Sequence, residues 1–291
     1  MSDLLSINWD VAPTFSFLGI TLRWYSLLFV SGFIIGLYVF KRFFERENIN
    51  LKLIDSLFVT LMLATIVGAR LGHCIFYEPE DYFGSWEGFL EIFKVWKGGL
   101  ASHGGTIALF IAMFWYSRKY GPRNGFDFVW LLDHLCIPVS FAAMAIRIGN
   151  LFNSEIYGGP TSLPWGFVFL RDGQTQPMHP TQLYEAMSYC LLGIVLVWLY
   201  RNKLEKIYRG TLIGIFFIGC FGSRFLIEFV KNNQVDFEEG MLLNMGQLLS
   251  IPFILLGAGF LFYAFRYRRP AYSDNYKKNG TKIDAKGHSA K

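Results

Sequence analysis

Long apolar runs, nearly free of charge, alternate with short polar segments along this chain. A bilayer core about 30 Å thick is crossed by a helix of roughly 20 apolar residues. Seven stretches are long enough, at about residues 20–40, 55–77, 99–117, 126–149, 182–200, 210–230 and 242–265. The first is the least regular, because Arg23 sits near its start. The pattern predicts an all-α polytopic membrane protein with seven transmembrane helices. Two longer connections, 78–98 and 150–181, are predicted to form a small cap on the outer face. The second holds Gly158, Gly159, Pro160, Pro164, Pro177 and Pro180, a turn-rich composition rather than a hidden span. Residues 1–265 then read as one seven-span domain. The segment 266–291 reads as a basic, loosely ordered cytoplasmic tail.

Charge gives the orientation. Of the 27 Lys and Arg, nineteen fall in the loops after the first, third and fifth runs and in the tail, while the opposite loops hold only Lys94, Lys97, Arg171 and Lys231. Those opposite loops carry acids instead: Glu78, Glu80, Asp81, Glu87, Glu91, Asp236, Glu238 and Glu239. Basic loops stay on the cytoplasmic side, so the N-terminus is expected outside and the C-terminus inside. Trp24, Tyr25, Trp96, Trp115, Tyr116, Trp198 and Tyr263 lie near span ends, as an aromatic belt requires. The start MSDLLSINWD has two Asp and no Lys or Arg, so the first run is expected to be a retained span rather than a cleaved signal.

Composition narrows the classes further. Among 291 residues, 53% are hydrophobic and only 17% charged. Soluble domains carry roughly 25% charged residues, which argues against an ordinary soluble enzyme. A net charge of +5 would suit nucleic acid, but its confinement to one set of loops serves topology, and no nucleic-acid partner is expected. Cys74, Cys136, Cys190 and Cys220 lie scattered in apolar runs with no CxxC pair, so neither a disulfide framework nor a metal or cofactor site is expected.

The four remaining basic residues are the candidates for chemistry. Arg23, Arg70, Arg147 and Arg224 lie in or at the edge of spans, where an ionised group costs at least ~2.5–3.5 kcal/mol on insertion scales. With the orientation above, Arg70, Arg147 and Arg224 fall near the outer ends of their spans. So do Tyr25, His103, Tyr184, Glu185 and Gln247. Glu228 lies one turn beyond Arg224, and Asn150, Asn153 and Glu155 follow Arg147 directly. Snorkelling to the interface accounts for Arg23 and Arg70 about as well, but it does not call for the Asn and Glu beside Arg147 and Arg224. A cation cluster at this depth suits an anionic head group, and lipid phosphate is the obvious anion. His103, within Ala101-Ser102-His103-Gly104-Gly105, is a candidate general base. His179 is read as positional, helping to cap the helix that starts at Thr181. Asp133 and His134 are read as structural, and Asp55 and Asp127 as helix N-caps.

The residues resemble a known family, the prolipoprotein diacylglyceryl transferases of bacterial inner membranes. The matching stretches are Arg23-Trp24-Tyr25, Gly68-Ala69-Arg70-Leu71-Gly72, the run from Trp96 to Gly105, and Arg147-Ile148-Gly149-Asn150-Leu151-Phe152-Asn153-Ser154-Glu155-Ile156-Tyr157-Gly158. His179-Pro180-Thr181-Gln182-Leu183-Tyr184-Glu185, Arg224-Phe225-Leu226-Ile227-Glu228-Phe229 and Met245-Gly246-Gln247-Leu248-Leu249-Ser250 follow in the family's order. The resemblance implies a seven-span enzyme of the inner membrane with a periplasmic N-terminus. Such an enzyme moves the diacylglyceryl group of phosphatidylglycerol onto the lipobox cysteine thiol of a preprolipoprotein signal peptide, forming a thioether and releasing glycerol 1-phosphate. The family's essential residues map onto Tyr25, His103, Arg147, Asn150, Asn153, Glu155, Gly158, Arg224 and Glu228. Ile146, Leu151 and Cys220 depart from residues common in the family.

On this reading His103, Arg147 and Arg224 are catalytic: His103 takes the thiol proton and the arginines stabilise the leaving phosphate. Tyr25, Arg70, Gly104, Asn150, Asn153, Glu155, Gly158 and Glu228 bind or orient substrate, with Glu155 and Glu228 as alternative bases. The rival reading is a transporter of organic anions or lipids with an Arg-lined site near the outer face. Against it, the polar residues gather near one side instead of continuing through.

Overall fold

A computed structural model describes residues 6–95, 98–231 and 242–276. Trp96, Lys97, Asp236, Glu238, Glu239 and the tail from Lys277 lie outside the described residues. The apolar runs become seven long helices: α1 (Trp24–Arg46), α2 (Lys52–Phe76), α5 (Ser102–Asn124), α6 (Phe128–Phe152), α7 (Thr181–Lys203), α8 (Thr211–Ile227) and α9 (Met245–Tyr267). Two short helices, α3 (Pro79–Phe83) and α4 (Trp86–Glu91), occupy the first long connection. Six helical segments are long and apolar enough to cross a membrane, and they mark a multi-pass membrane protein. The helix α5 is not among them. His103 at one end and Arg118, Lys119 and Arg123 at the other dilute its apolar middle.

Besides the helices there are, among the described residues, four short strands that the hydrophobic pattern did not predict. β1 (Ile7–Trp9) pairs in parallel with β4 (Phe167–Phe169), and β2 (Thr14–Phe17) pairs antiparallel with β3 (Ile20–Arg23). Strands of three or four residues are too short to show an alternation of their own. The β2–β3 hairpin turns at Leu18 and Gly19, both with positive φ (50° and 80°), as a two-residue hairpin of matching twist requires.

The chain divides into two compact units, Met1–Val39 with Leu132–Tyr272, and Phe40–Leu131 with Ser273–Lys291. In the first unit, α8 packs against both α7 and α9. The β1–β4 pair covers a small apolar core of Leu151, Phe167, Phe169 and Met178, onto which Trp9, Tyr157 and Leu183 pack. Asp133, fully buried, accepts from the backbone N–H of Gly210 at 2.6 Å and of Ile213 at 2.8 Å. It satisfies the free donors at the start of α8 with a carboxylate aligned to the helix dipole, which gives this buried acid a structural task. His134 meets Tyr200 edge to face. A capping box starts α9: Asn244 Oδ1 accepts from the Gln247 N–H at 2.8 Å, and Gln247 Oε1 accepts from the Asn244 N–H at 3.1 Å.

In the second unit, α2 and α5 pack closely through glycines. A Cβ at Gly104 would lie 2.3 Å from the Gly68 carbonyl oxygen, so the backbones touch where any side chain would part them. Asp127 caps α6 through the Trp130 N–H at 2.9 Å. Asp55 does not cap α2, because the helix starts earlier, at Lys52, with Leu51 in the cap position. The first part of the tail also departs from the expected loose order. Arg209 donates to the carbonyls of Pro270 and Tyr272 at 3.1 and 3.0 Å. Glu47 accepts from the Ser273 N–H and the Trp130 indole. Ala271 and Ser273 are fully buried.

Candidate active site

The first unit holds eight of the residues singled out above: Tyr25, Arg147, Asn150, Asn153, Glu155, Gly158, Arg224 and Glu228. Arg147 and Asn150 lie on the last turns of α6, one turn apart, which sets Arg147 Nη1 3.5 Å from Asn150 Oδ1. Past the end of α6 the chain turns sharply, with Ser154 and Ile156 at positive φ. That turn brings Glu155 back to its own helix. Its Oε1 accepts from Asn150 Nδ2 at 2.7 Å and from Asn153 Nδ2 at 3.1 Å. Each asparagine thereby donates an amide N–H to one exposed carboxylate. The turn is held from α7: Gln182 Nε2 donates to the Glu155 carbonyl at 2.7 Å, and Thr181 Oγ1 donates to the Ile156 carbonyl at 2.9 Å.

Gly158 closes the turn. Its N–H donates to the His179 carbonyl at 2.8 Å, and it bridges antiparallel to Lys231. A Cβ there would stand 2.2 Å from the Val230 carbonyl oxygen, so only glycine fits. Tyr25, on the first turn of α1, lies against Gly149, where an added Cβ would approach its ring at 2.8 Å.

The charged groups form a chain. Arg224 Nε on α8 lies 3.6 Å from Glu228 Oε1, and the same oxygen lies 3.2 Å from Lys231 Nζ. Lys231 Nζ is 3.7 Å from Glu185 Oε1 on α7, and Glu185 Oε2 is 2.8 Å from Arg147 Nε on α6. The Glu185 oxygens make no well-aligned hydrogen bond, so close cations are what compensate their charge. The interior members are sealed, with side-chain exposures of 1% for Glu185, 2% for Lys231 and 6% for Glu228, whereas Arg147 is 18% and Arg224 32% exposed. Along this path, among the described residues, three cations face two carboxylates. The surplus positive charge sits beside the two most accessible groups, a setting that attracts an anion.

Sequence reasoning passed over two members of this chain. The sequence reading takes Lys231 as an outer-loop lysine and gives Glu185 no role, though it places that residue by depth and at the end of the His179–Glu185 stretch. The spacing of Lys231 three residues after Glu228 was the one available signal. Nearby, His179 does not cap α7, whose cap position is Pro180. Its Nδ1 lies 3.2 Å from the Tyr184 hydroxyl, which accepts from the Trp165 indole at 3.0 Å. Burial pushes the His179 pKa down. Tyr157 bonds to Asp172 and stacks on Phe169, and burial together with that carboxylate pushes its pKa up to about 12.

The second unit holds Arg70, His103 and Gly104. The Arg70 side chain is committed to the backbone: Nε donates to Ile92 O at 3.0 Å, Nη2 to Glu91 O at 2.7 Å, and Nη1 to Gly98 O and Gly99 O at 2.8 and 3.2 Å. Its guanidinium also lies over the Tyr82 ring. Gly104 is taken up by the contact with α2. His103 is exposed in the first turn of α5.

A family model described as prolipoprotein diacylglyceryl transferase matches residues 13–263. The chain belongs to the prolipoprotein diacylglyceryl transferase family. It is 44% identical over 266 residues to the phosphatidylglycerol–prolipoprotein diacylglyceryl transferase of Porphyromonas gingivalis, an alignment that covers 86% of this chain and 92% of the relative. Enzymes with the same name from Bacteroides fragilis and Chloroherpeton thalassium are each 41% identical, covering 89% of this chain and 96% and 95% of theirs. The matched region takes in every site residue named above, so this prolipoprotein diacylglyceryl transferase family member carries both the arginine chain of the first unit and the Arg70 and His103 region of the second.

Proposed function

We propose that the protein transfers the diacylglyceryl group of phosphatidylglycerol to the lipobox cysteine of a preprolipoprotein. The observation that carries this reading is the surplus cation of the Arg224–Glu228–Lys231–Glu185–Arg147 chain, presented by two partly exposed guanidiniums. The lipid phosphate is its anion. The cysteine sulfur attacks the diacylglyceryl carbon that bears the phosphate ester. A C–S bond forms, the C–O bond breaks, and glycerol 1-phosphate leaves with the electron pair. Charge grows on that phosphate in the transition state, where Arg147 and Arg224 stabilise it more than in the ground state.

Asn150, Asn153 and Tyr25 orient the head group, with Glu155 holding the two amides and Gly158 the turn. The thiol proton, with a pKa of about 8.5 in a free cysteine, goes to a base. His103 is assigned that role, Glu155 being its alternative. Glu228 is instead taken up between Arg224 and Lys231. Arg70 is assigned to holding the segment that precedes α5, and Gly104 to helix contact. We further propose that α5 is the seventh span, that the N-terminus is periplasmic and the C-terminus cytoplasmic, and that α3, α4 and the 150–181 segment form the outer cap.

The test is transfer of labelled diacylglyceryl from phosphatidylglycerol to a lipobox peptide by the purified protein. Arg147→Ala is expected to lose about 100- to 1,000-fold in kcat, the scale for removing one preorganised charge-stabilising donor. Full activity in that variant would remove the phosphate clamp.

A further inference from the structure

The two arginines come from different helices, α6 and α8, and neither is paired directly with the other. What links them is a path of alternating sign: Arg224, Glu228, Lys231, Glu185 and Arg147, with gaps of 3.6, 3.2, 3.7 and 2.8 Å. Each carboxylate lies between two cations, and the central cation lies between two carboxylates. Removing the centre leaves Glu185 and Glu228 sealed among protein atoms with one partner each, a costly state for buried charge. The same lysine is pinned through its backbone, by the bridge to Gly158 that closes the Asn150–Glu155 turn. One residue therefore borders both arginine pairs and the amide turn.

We infer that Lys231 and Glu185 are positioning residues that lock Arg147 and Arg224 into one clamp. Both side chains are sealed, at 2% and 1% exposure, so they act through the arginines and not on substrate. Each arginine lies nearest its carboxylate through Nε, at 2.8 Å for Arg147 and at 3.6 Å, an ion-pair contact without a hydrogen bond, for Arg224, and this sets the direction in which the terminal nitrogens point. The clamp's two halves then respond to each other: loosening one loosens the other through Glu185, Lys231 and Glu228. This inference rests on the phosphate-clamp reading above and adds a measurable coupling to it.

The experiment uses the full-length purified protein and the lipobox-peptide assay. kcat and KM are measured for Arg147→Lys, Arg224→Lys and their double variant, in the native background and with Lys231→Met. Independent groups give effects that multiply, whereas coupled groups do not. In the native background, the double variant is expected to be at least about fivefold more active than the product of the single effects, within the usual range for contacting networks. With Lys231→Met that excess is expected to fall to within about twofold of unity, kcat to drop more than KM rises, and Lys231→Arg to restore both kcat and the excess. An undiminished excess in Lys231→Met overturns the inference. Should Lys231→Met fail to fold, Glu185→Gln combined with Lys231→Gln removes one charge of each sign. Native kcat in that folded variant overturns the inference equally. The native protein and Arg147→Ala report on the phosphate clamp alone, so its failure is read separately from failure of the link.

Discussion

Arginines in two regions of this protein are put to opposite uses. In the second unit, Arg70 gives its Nε and both terminal nitrogens to four backbone carbonyls and its face to Tyr82. Little of it remains for a ligand. In the first unit, Arg147 and Arg224 each lie against a carboxylate, with Nε 2.8 and 3.6 Å from the nearest oxygen, and both stay partly exposed. The same side chain is a staple where the backbone absorbs its donors and, on the function proposed above, a clamp where it lies between a buried acid and solvent. Arg70 is also the most buried of the three. The destination of each N–H separates the two uses.

The comparison is broken or sharpened by four variants, in falling order of effect. Arg147→Lys keeps the charge and loses the planar fork. It is expected to cut kcat by about 10- to 100-fold while the melting temperature in detergent changes little. Arg70→Lys is expected to do the reverse. A single ammonium cannot reach carbonyls at Glu91, Ile92, Gly98 and Gly99 together. The loss of two charge-assisted hydrogen bonds costs about 3–5 kcal/mol, read as a lower melting point with kcat per folded molecule within about tenfold of native. If the two variants behave alike, the distinction between staple and clamp fails. Gly158→Ala forces a Cβ toward the Val230 carbonyl, and about 1–3 kcal/mol of stability should go along with most activity.

The smallest effect is a pH dependence at His179. Its folded pKa lies below the ordinary 6.5, so below that pH the unfolded chain binds more protons. Stability is therefore full above about pH 6.5 and declines as pH falls toward the depressed folded value. His179→Phe should flatten that slope in melting measurements made across this window.

Much of this was legible in the sequence, and the exceptions share a cause. Each of the seven long helices among the described residues begins or ends within a few residues of its apolar run, because the length of uncharged, apolar sequence decides it locally. Arg147, Asn150, Asn153 and Glu155 are close in sequence, and a single turn after α6 gathers them. Lys231 looked like a loop cation because what buries it, Glu185, lies 46 residues earlier on another helix. Arg70 looked like a ligand because its partners are carbonyls, which every residue has and no composition reveals. The short strands and the buried start of the tail depend likewise on distant partners, Phe167–Phe169 for β1 and Arg209 for the segment after Arg268.

The parallel pairing of β1 with β4 carries a consequence for biogenesis. Ile7 to Trp9 find their partners at Phe167 to Phe169, so the whole stretch between the two strands must emerge from the ribosome before β1 can dock. Until then the edge of the leading strand stays unpaired. A bulky insertion ahead of Ile7 would therefore obstruct this pairing.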